Sequence, residues 1–280
     1  MYAEGCGITE EGSWYIDPVS RTDEKEDRKK IREAIKVAKG ADLVILAVGG
    51  NELTSREAWI ETHMGDRADL EMVGLQDELI DALAKLNKPM ITFLFNGKPL
   101  VIGNLLEKSD VVYECWYLGQ ESGRAAANVL VGEANPSGKL PISFPRSAGH
   151  LPSYYNHKPT ARRGYLFDDV SPLFSFGFGL SYSTFQLSDV KLDNKEILQD
   201  GSFKLSCKVK NLKGLAGYEV VQLYIRDLYS SRTRPVKELK AFQKVYLQEG
   251  EEKEVIFSLK ASDLARPSNL GKMWDEGPEA

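Results

Sequence analysis

Residues 41–52 read Ala41-Asp42-Leu43-Val44-Ile45-Leu46-Ala47-Val48-Gly49-Gly50-Asn51-Glu52. The apolar centre of this stretch, residues 43–48, is typical of a strand that is buried on both faces of a parallel sheet. A charged segment from Asp23 precedes it, ends at Gly40 and carries apolar residues at helical spacing: Ile31, Ala34, Ile35 and Ala38. A helix followed by a short buried strand indicates an α/β fold.

The alternation of helix and strand continues along the chain. We expect a helix over residues 75–86, buried strands over 90–95 and 111–116, and a helix over 120–131. This order implies right-handed crossovers and a doubly wound, mostly parallel sheet, that is, an α/β sandwich. Ligands collect beyond the carboxyl ends of such strands, which are residues 49–52, 96–99 and 117–121.

Four segments are predicted. Residues 1–22 are irregular, residues 23–145 form the α/β domain, and residues 146–183 form a strap rich in proline and aromatic residues. Residues 184–280 alternate like the strands of a small antiparallel sandwich. No clear strand pattern follows residue 265, so we expect this sandwich to be incomplete.

Composition excludes several classes of protein. The 36 Lys and Arg residues are outnumbered by 41 Asp and Glu residues, and the net charge of -5 argues against a nucleic-acid partner. No apolar run approaches the roughly 20 residues that span a bilayer, so no membrane partner is expected. The three cysteines lie far apart, which excludes a disulfide framework. The start of the chain lacks a signal-peptide pattern, and the cellular location is left open.

The stretch between the first strand and the next helix, residues 49–75, is the candidate site. Long loops within compact α/β units are usually functional, and this loop holds six carboxylates together with Arg56, Arg67, His63 and Trp59. A carboxyl group beside an aromatic ring and an arginine can be tuned as a general acid. The alternative is a solvated, salt-bridged loop, which composition alone favours.

Other chemistries have little support in the sequence. Gly49-Gly50 is part of neither dinucleotide nor phosphate-loop motifs, the three histidines lack metal-ligand spacing, and no serine lies in a nucleophile elbow. No cofactor and no metal are therefore expected. Trp116 and Tyr117 could stack on a sugar ring or could pack in the core.

Several ordered segments resemble glycoside hydrolase family 3, the β-glucosidase and β-xylosidase family. ADLVILAVGGNE and GDRADLEMVGLQDELI are similar to the second domain of that family, as are NGKPL at 96–100 and the string at 116–145. PLFSFGFGLSYSTF at 172–185 is another match, and NLKGLAGYEVVQLYI and RPVKELKAFQKVYL resemble its fibronectin III-like third domain. The resemblance covers roughly residues 20–265 and is closest to a bacterial β-glucosidase.

The resemblance also implies a part that this sequence does not contain. Family members carry an N-terminal (β/α)8-type barrel, which supplies the aspartate nucleophile in a Ser-Asp-Trp-like string. Here Ser-Asp is followed by Val, Val and Leu at residues 109–111, 188–190 and 262–264. We therefore interpret the chain as a fragment, a gene remnant or a split subunit whose partner is the barrel, in cis or in trans. A surface that normally faces the barrel would also favour self-association.

The resemblance places the acid/base glutamate in the candidate loop, upstream of Asp66-Arg67. Ser55-Arg56-Glu57 is the best match, with Glu61 as the alternative, and Trp59, Arg67 and Trp116 are the expected substrate contacts. The implied reaction is retaining hydrolysis of terminal β-linked glucosyl residues in a β-glucoside or oligosaccharide. The isolated chain is predicted to be inactive because it lacks the nucleophile. The alternative is a non-catalytic carbohydrate-binding or assembly module.

Overall fold

The computed structural model describes residues 1–12, 18–58, 60–61, 63–159, 164–198, 200–230 and 232–264 of the 280. The chain divides into two compact units. The first comprises Met1–Ala126 and Phe144–Pro152, and the second comprises Ala127–Ser143 and Ser153–Ala280.

The first unit begins with alternating helices and strands. Its helices are α1 (Glu24–Lys39), α2 (Glu52–Ser55), α3 (Gln76–Ala84) and α4 (Gly103–Lys108), and its strands are β1 (Val44–Gly49), β2 (Met90–Phe95) and β3 (Val111–Glu114). The Asp23 side chain caps α1 by accepting from the amides of Lys25 and Glu26, and Gly40 follows its last turn. A cap of this kind satisfies amides that have no partner within the helix. Helix α5 (Ser122–Leu130) lies where the chain passes from the first unit to the second.

The three strands form a parallel sheet in the order β1-β2-β3. One face is buried, with Thr92 and Leu94 wholly inaccessible to solvent. The other face is only partly covered: Ile45, Ile91 and Val111 lie in register across it, and Ile45 is 53% exposed. The expectation that residues 43–48 are buried on both faces is therefore wrong for the alternate positions of β1.

The predicted fold class is confirmed: a parallel α/β sheet with helices is followed by two antiparallel sheets. The third strand is shorter than predicted, because it ends at Glu114 rather than at residue 116. Trp116 has a φ of 50°, in the left-handed region that does not continue a strand. Helices α2 and α4 were not predicted. Among the described residues, no helix combines the length and the apolar character needed to cross a membrane.

The second unit contains five described strands after an irregular passage: β4 (Thr184–Leu192), β5 (Ser202–Lys213), β6 (Gly217–Ile225), β7 (Glu238–Leu247) and β8 (Glu252–Lys260). Strands β4, β5 and β8 form one antiparallel sheet, and β6 pairs with β7 in a second. Their inward residues form a core that includes Val209, Leu247 and Val255. The prediction that no strand follows residue 265 concerns positions outside the described residues.

Side chains order the proline-rich and aromatic-rich passage before β4. The Asn135 amide donates to Ser183 Oγ at 2.9 Å, and its carbonyl oxygen accepts from Ser181 Oγ at 2.8 Å. The Lys139 ammonium lies 3.0 Å from a carboxylate oxygen of Glu219 on β6, and both side chains are largely buried. These contacts give an otherwise irregular segment fixed attachment points within the second unit.

Candidate functional site

Three loops leave the carboxyl ends of the parallel strands at the same edge of the sheet. They begin after Gly49, Phe95 and Glu114, which end β1, β2 and β3. Parallel strands bring such loops together although they are far apart in sequence. The candidate loop, residues 49–75, thereby lies beside residues 96–99 and 115–117.

The departure of the candidate loop from β1 is fixed at Gly49. The Gln76 side chain accepts from the Gly49 amide at 2.7 Å and donates to the Gly49 carbonyl at 2.8 Å. Gly49 has a φ of 134°, and a Cβ atom there would lie 1.9 Å from the Phe95 carbonyl oxygen. Only glycine fits this close approach between the ends of β1 and β2.

Helix α2 sets the direction of the following residues. Asn51 and Thr54 form a reciprocal cap, in which each side chain bonds the backbone of the other residue. The helix ends at Ser55, and the next residue, Arg56, has an extended backbone and a buried side chain. Because Arg56 is directed inward, Glu57 follows on the solvent side.

Glu57 carries an exposed carboxylate that contacts the neighbouring strand end. Its Oε1 lies 3.0 Å from the Lys98 Nζ, and the two side chains are 77% and 18% exposed, respectively. Glu61, the alternative acid/base residue, is also exposed. Both carboxylates are accessible to a ligand, whereas Lys98 is held mostly within the protein.

A second contact joins the candidate loop to the other two strand ends. The hydroxyl groups of Ser55 and Tyr117 lie 2.8 Å apart, and the Gly97 amide donates to Ser55 Oγ at 3.3 Å. A Cβ atom at Gly97 would lie within 2.9 Å of both side chains. Ser55 thus links residues that follow β2 and β3, two positions before Glu57.

At this edge lies a partly buried carboxyl group, that of Glu114, the last residue of β3. Its Oε1 accepts from the Trp116 amide at 3.1 Å. Burial raises the pKa of Glu114 to about 7, although hydrogen bonds from the Trp116 amide and the Asn96 side chain act in the opposite direction. Glu114 can therefore gain or lose a proton near neutral pH.

The predicted substrate contacts occupy different environments. The Arg67 guanidinium is engaged within the loop, where it donates to Asp69 Oδ1 and to the Glu71 carbonyl, each at 2.6 Å. Trp116 is half-buried, with its ring centroid 5.9 Å from that of Phe144. Trp59 lies outside the described residues. The roles of these three residues stay predictions, as do those of Glu57 and Glu61.

Sequence reasoning missed Lys98, Glu114 and the contact between Ser55 and Tyr117. Lys98 lies in a strand-end segment that was marked as a site of chemistry but was given no role, and Tyr117 was considered only for stacking on a sugar ring or packing in the core. Glu114 could have been noticed as a charged residue within a segment read as a buried strand. No group of three or more possible metal-ligating side chains occurs among the described residues.

The chain thus combines an α/β unit, which carries an exposed glutamate in the loop after its first strand, with antiparallel β-sheets. The sequence pattern of the glycosyl hydrolase family 3 C-terminal domain matches residues 2–182, and the pattern of the fibronectin type III-like domain matches residues 219–275. The chain belongs to glycosyl hydrolase family 3.

Individual relatives agree with this assignment. A β-xylosidase from Formosa agariphila is 41% identical over 94% of this chain and 34% of its own length. A periplasmic β-glucosidase from Salmonella typhimurium is 37% identical over 99% of this chain and 36% of its own length. A β-glucosidase structure from Erythrobacter marinus superposes with a TM-score of 0.93 at 38% identity, covering all of this chain and 39% of that one. The chain thus spans about a third of the length of the relatives it matches.

Proposed function

We propose that this chain supplies the acid/base part of a retaining β-glucosidase-type glycoside hydrolase and that a nucleophile-bearing barrel completes the active site, in cis or in trans. The observation that carries this proposal is the exposed carboxylate of Glu57 at the edge where the parallel strands end, within contact of Lys98. Family membership supports the reaction class, and relatives named β-glucosidase and β-xylosidase support a β-linked glycoside as substrate.

In this mechanism Glu57 transfers protons. A carboxylate from the barrel attacks the anomeric carbon while the protonated Glu57 gives its proton to the departing oxygen, and a glycosyl ester forms. Glu57 then removes a proton from water as that water cleaves the ester, which restores both groups. The two carboxyl groups of a retaining enzyme are about 5–5.5 Å apart, so the second group must approach Glu57 from the solvent side.

The partly covered face of the sheet supports a missing partner. Parallel sheets are normally covered on both faces, whereas Ile45 and Val111 are 53% and 39% exposed. A barrel docked over this face would remove apolar surface from water, at about 25 cal/mol per Å². Without it, we expect the chain to self-associate, and Ile45→Lys to reduce that association in light scattering.

Complementation tests the proposal. The purified chain is assayed for nitrophenol release from an aryl β-glucoside, alone and with a separately expressed family 3 barrel. We expect no useful turnover by the chain alone, because a lone general acid supplies only about 10²–10⁴-fold. Turnover should rise when the barrel is added.

Three variants assign the acid/base residue. Glu57→Gln should lower the complemented turnover by about 10²–10⁴-fold, while Glu61→Gln and the exposed helix residue Glu107→Gln should change it little. A strong loss in Glu61→Gln alone would transfer the role to Glu61. Robust turnover by the chain alone, abolished in Glu57→Gln, would contradict the need for a barrel.

A second function is a non-catalytic carbohydrate-binding or assembly module. The Tyr117 side chain favours it, because its ring is 50% exposed at the strand-end edge and flat aromatic rings suit sugar faces. Titration of the chain with glucose and a β-glucoside distinguishes the two functions. Binding that is lost in Tyr117→Ala, with no turnover after a barrel is added, would support the module.

A further inference from the structure

Two buried oxygen atoms at the ends of β2 and β3 have no hydrogen-bond partner among the described residues. They are Oδ1 of Asn96 and Oε2 of Glu114. The Asn96 amide nitrogen is already engaged, since it donates to the Lys98 carbonyl at 2.8 Å. Leu94 of β2 lies opposite Glu114 of β3, so Asn96, two residues beyond Leu94, is a diagonal neighbour of Glu114 across the strand ends.

Both of these oxygen atoms lack a hydrogen-bond donor within the described part of the chain. An amide oxygen and a carboxylate oxygen both accept hydrogen bonds, so neither satisfies the other. A buried acceptor without a partner is costly. A proton on Oε2 of Glu114 removes the negative charge from that oxygen and turns it into a hydrogen-bond donor.

We infer that Glu114 is a positioning residue of the candidate site: through the Trp116 amide it holds the Trp116–Tyr117 turn against Ser55, and its state of protonation sets the strength of that hold. This inference deepens the proposed function, on which its catalytic meaning rests. Glu114 itself is not expected to contact the substrate.

The contacts form a continuous path to the candidate acid/base residue. Glu114 accepts from the Trp116 amide, and Trp116 has the left-handed φ of 50°. Such a conformation is unfavourable for a bulky residue and needs support from its surroundings. The turn presents the Tyr117 hydroxyl to Ser55 Oγ, two residues before Glu57. On the other strand end, Asn96 braces the backbone of Lys98, whose ammonium contacts Glu57.

The surroundings of Glu114 favour its neutral form. Burial is the leading cause of its raised pKa, and no charged group is among the causes. The Trp116 amide and the Asn96 side chain, which face it, are uncharged. The adjacent Cys115 is also neutral at pH 7, because burial, reinforced by Glu114, raises its pKa to about 11.

The test follows assigned backbone amide signals of the full 280-residue chain by nuclear magnetic resonance as the pH is raised. The Trp116 and Ser55 amides should shift with one common midpoint near pH 7, the pKa of Glu114. In Glu114→Gln, whose side-chain amide can accept from Trp116, neither signal should show that midpoint. Glu107→Gln, on the exposed face of α4, should behave like the parent.

Tyr117→Phe separates the two halves of the path. In this variant the Trp116 amide should still titrate, whereas the Ser55 amide should lose its midpoint. Infrared difference spectra between acid and neutral solutions should show a protonated carboxyl group that Glu114→Gln removes. A Trp116 midpoint near neutral pH that persists in Glu114→Gln, or the absence of any midpoint in the parent, would overturn the inference.

A catalytic measurement uses the barrel-complemented enzyme. Glu114→Gln should retain kcat at low pH and should lose less of it than the parent as the pH rises through neutrality, with KM changing little. A pH profile of kcat identical to that of the parent would contradict the role in catalysis. The resonance measurements need no turnover, so they test the role of Glu114 even where complementation fails. Failure of the proposed function can therefore be distinguished from failure of this inference.

Discussion

Each of the two units contains an ion pair of similar length, and the two pairs differ in burial. In the second unit, Arg234 Nε lies 2.7 Å from Asp227 Oδ2, and the two side chains are 9% and 11% exposed. In the first unit, Lys98 Nζ lies 3.0 Å from Glu57 Oε1, and the glutamate is 77% exposed. By distance alone, the two ion pairs would be judged equally strong.

Burial assigns them different roles. Asp227 and Arg234 lie between β6 and β7, where Arg234 also donates to the Leu264 carbonyl, so the pair holds a long connection in place. Removing one partner of a buried pair leaves an uncompensated charge. Glu57 keeps most of its surface in water, so its pairing is weak and can be exchanged for a ligand. The short ion pair therefore has a structural role in the second unit, whereas in the first unit it leaves the Glu57 carboxylate available for chemistry.

The largest predicted effect is in the second unit. Arg234→Met should lower the free energy of unfolding by about 3–5 kcal/mol, because Asp227 stays buried without its cation. Urea unfolding measures the change. Lys208→Met, in an exposed pair of the same unit, is the matched control and should cost less than about 1 kcal/mol. Equal losses of stability in both variants would show that burial does not decide how much an ion pair contributes.

Glu114→Gln should change how stability depends on pH. Burial raises the pKa of Glu114 from 4.5 to about 7, so the folded chain holds this proton more tightly than the unfolded chain does. The stabilisation is complete below pH 4.5 and is lost as the pH rises through 7. Glutamine does not titrate, so the stability of the variant relative to the parent should rise by about 3 kcal/mol between acid and alkaline pH.

Thermal unfolding at several pH values measures this difference, with Glu107→Gln as the exposed control. Glu114 and Glu57 lie at the same sheet edge and differ in burial, because the Glu57 carboxylate is exposed to water. A stability difference between Glu114→Gln and the parent that is constant over the whole pH range would show that Glu114 does not titrate near neutrality in the folded chain.

Tyr117→Phe should have a moderate effect. It removes the hydroxyl that meets Ser55 Oγ at 2.8 Å, and a hydrogen bond of this kind contributes about 0.5–1.5 kcal/mol. Urea unfolding is the measurement, and Tyr229→Phe, at an 86% exposed position, is the control. Identical stabilities for the two variants would indicate that the link between the strand ends contributes nothing.

The smallest effect is expected from Lys98→Met. Glu57 is 77% exposed, so its pair with Lys98 should be worth about 0–1 kcal/mol, and high salt should abolish the contribution. Methionine keeps the apolar stem of the side chain, so packing is largely retained. The free energies of unfolding of Lys98→Met and of the control Lys195→Met, in an exposed loop, are compared at low and high salt. A salt-independent loss above about 2 kcal/mol would place this pair with the buried one.

The sequence patterns were most informative where packing alone decides the structure. Residues 90–95 were predicted as a buried strand, and β2 spans Met90–Phe95, because a short apolar run between polar residues has few other stable arrangements. Asp23 and Gly40 likewise bound α1 as capping chemistry requires. The outer face of β1 was not predictable, because an apolar run does not reveal whether a partner covers it.

The contacts of the site were less accessible to sequence reasoning. Ser55 and Tyr117 are 62 residues apart, and only the parallel register of three strands brings them together. The end of β3 depends on the left-handed backbone of Trp116, which no local pattern signals for a tryptophan. Family resemblance directed attention to Glu57, but the resemblance alone could not show that Arg56 is buried or that Lys98 lies opposite.

The paired hydrogen bonds between Gln76 and Gly49 fasten the two ends of the candidate loop to each other. Lengthening a loop between joined ends costs only about 0.6 kcal/mol per doubling of its length. The ends of this loop are therefore held together independently of its length, and an insertion at its exposed positions should leave the ends of β1 and α3 in place.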